Sequence, residues 1–262
     1  MEKKMRILCL GDSIMQYNDC QTYPQTGWVQ ELTRFFKQGT EFLNFARNGR
    51  STKSFIAEGR FENVLKNSMP GDYALIQFGH NDEKINDPNR YTSPAEDGEF
   101  RRNLEYLVVN LWAKKCRPIL LTPVVRRKFV DSPEGRKIEN THKEYQEAII
   151  ETAKRIEVPC IDVTKLTTEF IEDVGEEKSA RFFMNFEPGL YMNYPDGKDD
   201  NSHLRPDGAY EVSRITAMEL AKLGDSFDEY RELSESIVGA VEEKSGSDRE
   251  IDDEFMVFKG KN

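Results

Sequence analysis

The sequence predicts an α/β fold of three layers, with helices on both faces of a five-stranded, mostly parallel sheet. Two observations predict it. Short apolar runs alternate along the chain with stretches of helical period, and the runs are four to six residues long while the stretches between them reach ten to twenty. That alternation is the signature of β–α–β crossovers.

In order, residues 7–10 read as the first strand and 28–37 as the first helix. Residues 42–46 are the second strand, 54–67 a helix, 74–78 the third strand and 96–115 a longer helix. The fourth strand falls at 119–122. The helix at 140–156 follows, with Tyr145, Ile149 and Ile156 on one face, and 158–163 is the fifth strand. Residues 164–174 form a short helix. Pro206 opens a last amphipathic helix to residue 223, where a missing N–H costs nothing. The stretch 181–201 is rich in aromatics and lacks periodicity, so it reads as an irregular segment at the mouth of a site.

The chain has 262 residues, 37% hydrophobic and 32% charged, and no apolar run long enough to span a membrane. It carries a formal net charge of -10. From Gly224 onward, twelve acidic side chains face five basic ones, so this tail holds -7 of that charge and the body is near neutral. Nucleic acid is therefore excluded as a partner and a neutral or polyol substrate fits the body best. The expected organisation is one catalytic domain over 1–223 and an acidic extension over 224–262, with a helix near 226–241 and a solvated or disordered end. Cys9, Cys20, Cys116 and Cys160 are scattered, without a C-x-x-C pair, and read as reduced thiols. The basic start followed by only four apolar residues is too short for a secretory signal, which makes the cytoplasm the expected location.

Only three histidines, His80, His142 and His203, can serve as a general base. His142 lies in a polar helix start and reads as a solvated surface residue. His203 follows Asp200 by three positions in a turn, a spacing that can set a carboxylate on Nδ1 and aim Nε2 at a nucleophile; Asp200 capping the turn explains the same pattern. Gly11-Asp12-Ser13 ends the first strand, where an open parallel sheet places its ligands. Gly49 and Asn81 lie past the ends of the second and third strands, and their donors, converging on Ser13, would make an oxyanion hole. A turn at Gly49 and an Asx turn at Asn81 are the simpler accounts of each alone. No G-x-S-x-G elbow, P-loop or G-x-G-x-x-G fingerprint occurs, and no histidine pair or H-E-x-x-H offers a metal site.

Gly11-Asp12-Ser13, Gly49, Gly79-x-Asn81 and Asp200-x-x-His203 occur in the order of the four blocks of the SGNH, or GDSL, hydrolases, and the chain resembles that family over about its first 223 residues. Asn48-Gly49-Arg50-Ser51, Phe78-Gly79-His80-Asn81-Asp82 and Asp200-Asn201-Ser202-His203 with Pro206-x-Gly208-Ala209 are most similar to the rhamnogalacturonan acetylesterase branch, carbohydrate esterase family twelve. The resemblance implies a flavodoxin-like fold with sheet order 2-1-3-4-5 and a serine esterase that removes acetyl groups from pectic oligosaccharides without cofactor or metal. It implies Ser13 as nucleophile, His203 as base and then acid, and Asp200 as the residue that orients it. The Ser13 and Gly49 N–H groups and the Asn81 amide would form the oxyanion hole, with His80 as support and Asp12 holding the turn. Trp28, Phe186, Tyr191 and Tyr194 are candidate sugar platforms or ordinary packing. An esterase or thioesterase for other small acyl esters would use the same groups. A non-catalytic carbohydrate-binding protein would be expected to have lost one of them.

Overall fold

Four apolar side chains in a row require a strand buried on both sides, and β1 (Arg6–Gly11) is that strand: Ile7, Leu8, Cys9 and Leu10 are all fully buried. The computed structural model describes residues 4–238. Because successive side chains on a strand point to opposite faces, Ile7 and Cys9 enter one core and Leu8 and Leu10 the other. The chain continues through α1 (Trp28–Leu32), β2 (Glu41–Asn44), α2 (Thr52–Ala57), α3 (Arg60–Asn67), β3 (Tyr73–Gln77), α4 (Glu99–Ala113) and β4 (Arg117–Leu121). A small hairpin of β5 (Phe129–Ser132) and β6 (Gly135–Ile138) precedes α5 (Lys143–Arg155), β7 (Cys160–Ile161), α6 (Val163–Val174) and α7 (Glu176–Ser179). A second hairpin, β8 (Phe183–Phe186) with β9 (Lys198–Leu204), leads into α8 (Pro206–Ser226) and α9 (Arg231–Glu235).

Five strands form one wholly parallel sheet in the order β2-β1-β3-β4-β7. Its fifth strand is seventh along the chain only because the β5–β6 hairpin intervenes, so the expected order 2-1-3-4-5 holds. One face packs on α1, α6 and α8 through Trp28, Leu32, Ile171, Val212 and Leu220. The other packs on α2 to α5 through Phe55, Phe61, Phe100, Leu107 and Ile149. Each of these buried side chains contributes about 1.5–3 kcal/mol relative to exposure.

Several expectations change. The helix expected at 54–67 is two, because Gly59 takes a left-handed φ of +69° between them. Trp28 is fully buried, with its Nε1–H donated to Gln77 Oε1 at 2.8 Å, so it is core rather than a sugar platform. The aromatic stretch at 181–201 is largely the β8–β9 hairpin, whose polar β9 lacks the apolar alternation that marks a strand. The boundary at residue 223 falls inside α8, and the segment beyond it belongs to the core. Tyr230 is buried and donates its hydroxyl to Pro118 O at 2.7 Å, Leu233 is fully buried, and the Val238 N–H bonds to Phe35 O. Within the described part of the helix expected near 226–241, a single turn at Asp228–Tyr230 runs into α9, and the last twenty residues lie outside the described region. All four cysteines are free, Cys9 and Cys116 buried and Cys20 exposed. No helix among the described residues is long and apolar enough to cross a membrane.

Candidate active site

Sheet order reverses between β1 and β3, and the loops leaving their carboxyl ends open a crevice where open α/β sheets hold ligands. At Gly11 a Cβ would lie 2.5 Å from Met15 Sδ and 2.7 Å from Gln77 O, so only glycine lets the chain leave the sheet this close to β3. Asp12 then closes the turn. Its Oδ1 accepts the Ile14 N–H at 3.0 Å, its backbone oxygen accepts from Gln16 at 3.1 Å, and burial pushes its carboxyl up to about 6. Ser13 sits on this turn, 6% exposed, and its own N–H donates to no protein group among the described residues.

Past β2, Gly49 adopts φ +77° and lies under Arg90, whose guanidinium carbon is 3.7 Å from where a Cβ would stand. The Gly49 N–H is likewise not donated to another described residue. Past β3, Asn81 is buried and its Nδ2 donates one hydrogen to Arg50 O at 3.2 Å, which leaves the second for another acceptor.

The remaining pair comes from β9. In a regular strand, residues three apart point to opposite faces, so Asp200 and His203 would diverge. Here the ladder jumps: Phe183 pairs with Leu204 and the next residue, Met184, with Asp200, so residues 201–203 bulge out of register. Asp200 Oδ1 accepts the N–H groups of Ser202 at 2.9 Å and His203 at 3.0 Å, which closes the bulge and turns both side chains to one side. Asp200 Oδ2 then meets His203 Nδ1 at 2.8 Å, and His203 Nε2 meets Ser13 Oγ at 2.9 Å. Burial of Asp200 works to raise its pKa, but the His203 imidazole and the two N–H donors outweigh it and hold the carboxyl at about 2. A carboxylate that stays ionised fixes the imidazole tautomer with its proton on Nδ1, leaving Nε2 as an acceptor for the hydroxyl proton.

The other two histidines are buried against each other. His142 is fully buried rather than solvated, because the loop after β3 folds over it: Nδ1 meets Glu83 Oε2 at 2.8 Å and the ring lies edge-on to His80, centroids 4.3 Å apart. Burial drives both imidazoles toward the neutral form. Glu83 also pairs with Arg126 at 2.5 Å, and Arg126 Nε donates to Ser202 Oγ at 3.1 Å, so this network braces the bulge beside His203.

Ser13, Gly49, Asn81, Asp200 and His203 all line one open cleft of about 510 Å³. Arg50, Lys84, Arg90 and Arg126 line it too. Of these only Arg50 falls within a motif read from sequence; the others sit on loops past β3 and β4, and lone cations in polar loops carry no periodic signal. Phe186, Tyr191 and Tyr194 pack on one another, with ring centroids 4.6 and 5.9 Å apart, and do not line the cleft. Among the described residues no group of three or more His, Cys, Asp or Glu side chains is placed to hold a metal ion.

Residues 9–208 match the GDSL-like lipase/acylhydrolase family. The chain belongs to that family. It is 36% identical over 226 residues to the rhamnogalacturonan acetylesterase RhgT of Bacillus subtilis strain 168, a match that covers 86% of this chain and 93% of the relative. Among solved structures, protein YxiM of Bacillus subtilis superposes with a TM-score of 0.69 at 26% identity, over 85% of this chain and 57% of the other. The acetylxylan esterase Axe2 of Geobacillus stearothermophilus shares the fold at a TM-score of 0.57 and 15% identity, over 84% of this chain and 96% of the other. The cleft at the switch point of this family's sheet is lined by Ser13, Gly49, Asn81, Asp200 and His203.

Proposed function

We propose that this protein is a serine acetylesterase that removes acetyl groups from pectic, rhamnogalacturonan-type oligosaccharides through an acetyl-serine intermediate. The observation that carries the reading is the line from Asp200 through His203 to Ser13, at 2.8 and 2.9 Å, beside two backbone N–H groups with no acceptor among the described residues. The likeness to RhgT supports the substrate class.

In this mechanism Ser13 Oγ attacks the acetyl carbonyl while its proton passes to His203 Nε2. The carbonyl oxygen becomes an oxyanion held by the Ser13 and Gly49 N–H groups and the spare hydrogen of the Asn81 amide. Collapse of the tetrahedral intermediate breaks the bond to the sugar oxygen, which leaves with the proton from His203. Water then gives a proton to His203 and its oxygen to the acetyl carbonyl, and Ser13 departs reprotonated with release of acetate. Asp200 stays ionised throughout and stabilises the imidazolium formed twice per cycle. No step calls for a cofactor.

The test is acetate release from acetylated rhamnogalacturonan oligosaccharides, acetylated xylo-oligosaccharides and nitrophenyl esters of short and long acids, with Ser13→Ala alongside. Pectic substrates leading, with no turnover by the variant, is the expected result. Long acyl esters leading would overturn the substrate assignment, and an active Ser13→Ala would overturn the nucleophile.

A further inference from the structure

The near-neutral body of the chain pointed to a neutral substrate, yet the cleft around Ser13 is lined by four cations and one carboxylate. That carboxylate, Asp200, is engaged by His203. The carboxylates that neutralise the arginines stand outside the cleft lining: Glu58 behind Arg50 at 2.9 Å, Asp87 behind Arg90 at 3.0 Å and Glu83 behind Arg126 at 2.5 Å. The three guanidinium groups are thereby held in place at the wall of the cleft. Lys84, three residues past Asn81, is exposed and forms no ion pair among the described residues. Neither Asp12 nor Glu83 lines the cleft: Asp12 is buried and accepts the Ile14 N–H, and Glu83 is held by Arg126 and His142. A bound anion would therefore meet an ammonium with no internal competitor and guanidinium groups already oriented, the arrangement that recognises a carboxylate.

We propose that Lys84, flanked by Arg90 and Arg126, binds the free carboxylate of a uronate residue in the acetylated oligosaccharide, so that the enzyme selects the free acid over its methyl ester. This rests on the sugar-ester reading above and adds to it the charge state of the sugar beside the acetyl group. An exposed ion pair is a modest interaction, and its expected size is a factor of about two to five.

The experiment compares kcat/KM on acetylated galacturonate-containing oligosaccharides with that on the same oligosaccharides after methyl esterification, for wild type, Lys84→Met and Lys165→Met. Lys165 is an exposed lysine on α6 outside the cleft and controls for the change in net charge. Wild type and Lys165→Met are expected to prefer the free acid about two- to fivefold, through KM, and to lose that preference as salt is raised. In Lys84→Met the ratio of acid to ester is expected to fall toward one. Brisk turnover of both forms at equal efficiency by wild type, or an undiminished preference in Lys84→Met, would overturn this proposal and leave the acetylesterase reading standing. Pectic substrates inert while acetylated xylo-oligosaccharides turn over would overturn both.

Discussion

Replacing Asp200 by asparagine separates shape from charge at the candidate site. The amide oxygen can keep the Ser202 and His203 N–H bonds, now 2.9 and 3.0 Å, so the bulge is expected to survive. At the other position an NH₂ group would face His203 Nδ1 in place of the carboxylate oxygen at 2.8 Å. An amide donates there, so Nδ1 must accept and the ring proton moves to Nε2. Nε2 then donates to Ser13 Oγ where it should take the proton, and the imidazolium loses its counter-charge. A tautomer error of this kind costs about 10⁴ in kcat, or about 5.4 kcal/mol of activation energy, with KM little changed. The same substitution removes a stability contribution. Asp200 is held at about 2 against an ordinary 3.8, so its charge favours the folded state above pH 4 and that support disappears as pH falls toward 2. Solvent screening of this partly exposed group reduces the contribution to about 1 kcal/mol. The assay is steady-state hydrolysis of nitrophenyl acetate, paired with thermal melts at neutral pH and down the acid limb. A kcat within tenfold of wild type, in a variant that melts normally at neutral pH, would refute the role given to Asp200.

Three further outcomes follow from the same geometry. Asn81→Ala should lower kcat on any acetyl ester by about 10²–10³ with KM nearly unchanged, and lose about 1 kcal/mol of stability with its bond to Arg50 O, as steady-state kinetics beside a thermal melt would reveal. Trp28→Phe leaves the buried Gln77 Oε1 without its donor and should cost about 1–3 kcal/mol of stability, read as a lower midpoint in urea. Truncation after Leu223 removes the buried Tyr230 and Leu233, worth together about 3–6 kcal/mol, and should lower Tm by at least about 6 °C or abolish soluble expression.

The parallel sheet was legible because its strands are buried on both faces, and Ile7-Leu8-Cys9-Leu10 shows such burial as an unbroken apolar run. The blocks around Ser13, Gly49 and Asn81 were legible because they follow such runs directly. What escaped was whatever local pattern does not encode. Lys198–Leu204 is a strand made of polar residues, paired through its backbone, so no alternation announces it. His142 has polar neighbours in sequence, yet Glu83, 59 residues away, accepts its Nδ1–H and the fold buries it. The segment around Tyr230 looked like the start of an acidic tail because its apolar residues are few, although two of them fill the core. The positive cleft escaped for a related reason: net charge averages over the chain, whereas Lys84, Arg90 and Arg126 meet only through loops from different strands.

Ser13 and the Asp200–His203 pair stand on different sheets. Ser13 is seated on the central sheet, while Asp200 and His203 ride on a two-stranded ribbon that is not hydrogen-bonded into that sheet. The base of the ribbon is buried in the core, where Phe183 and Leu204 join Ile7 and Trp28, and the rest is moored by hydrogen bonds, among them those of Arg127 to the backbone and side-chain oxygens of Asn201 at 2.9 and 2.8 Å. Its outer part, from the exposed Lys198 and Asp199 to the half-buried His203, can open at a lower free energy than the whole molecule. Under gentle denaturation, hydrolysis is therefore expected to fail while the sheet's amide protons are still protected from exchange, and to return on dilution at the rate at which the ribbon re-docks rather than the rate at which the chain refolds.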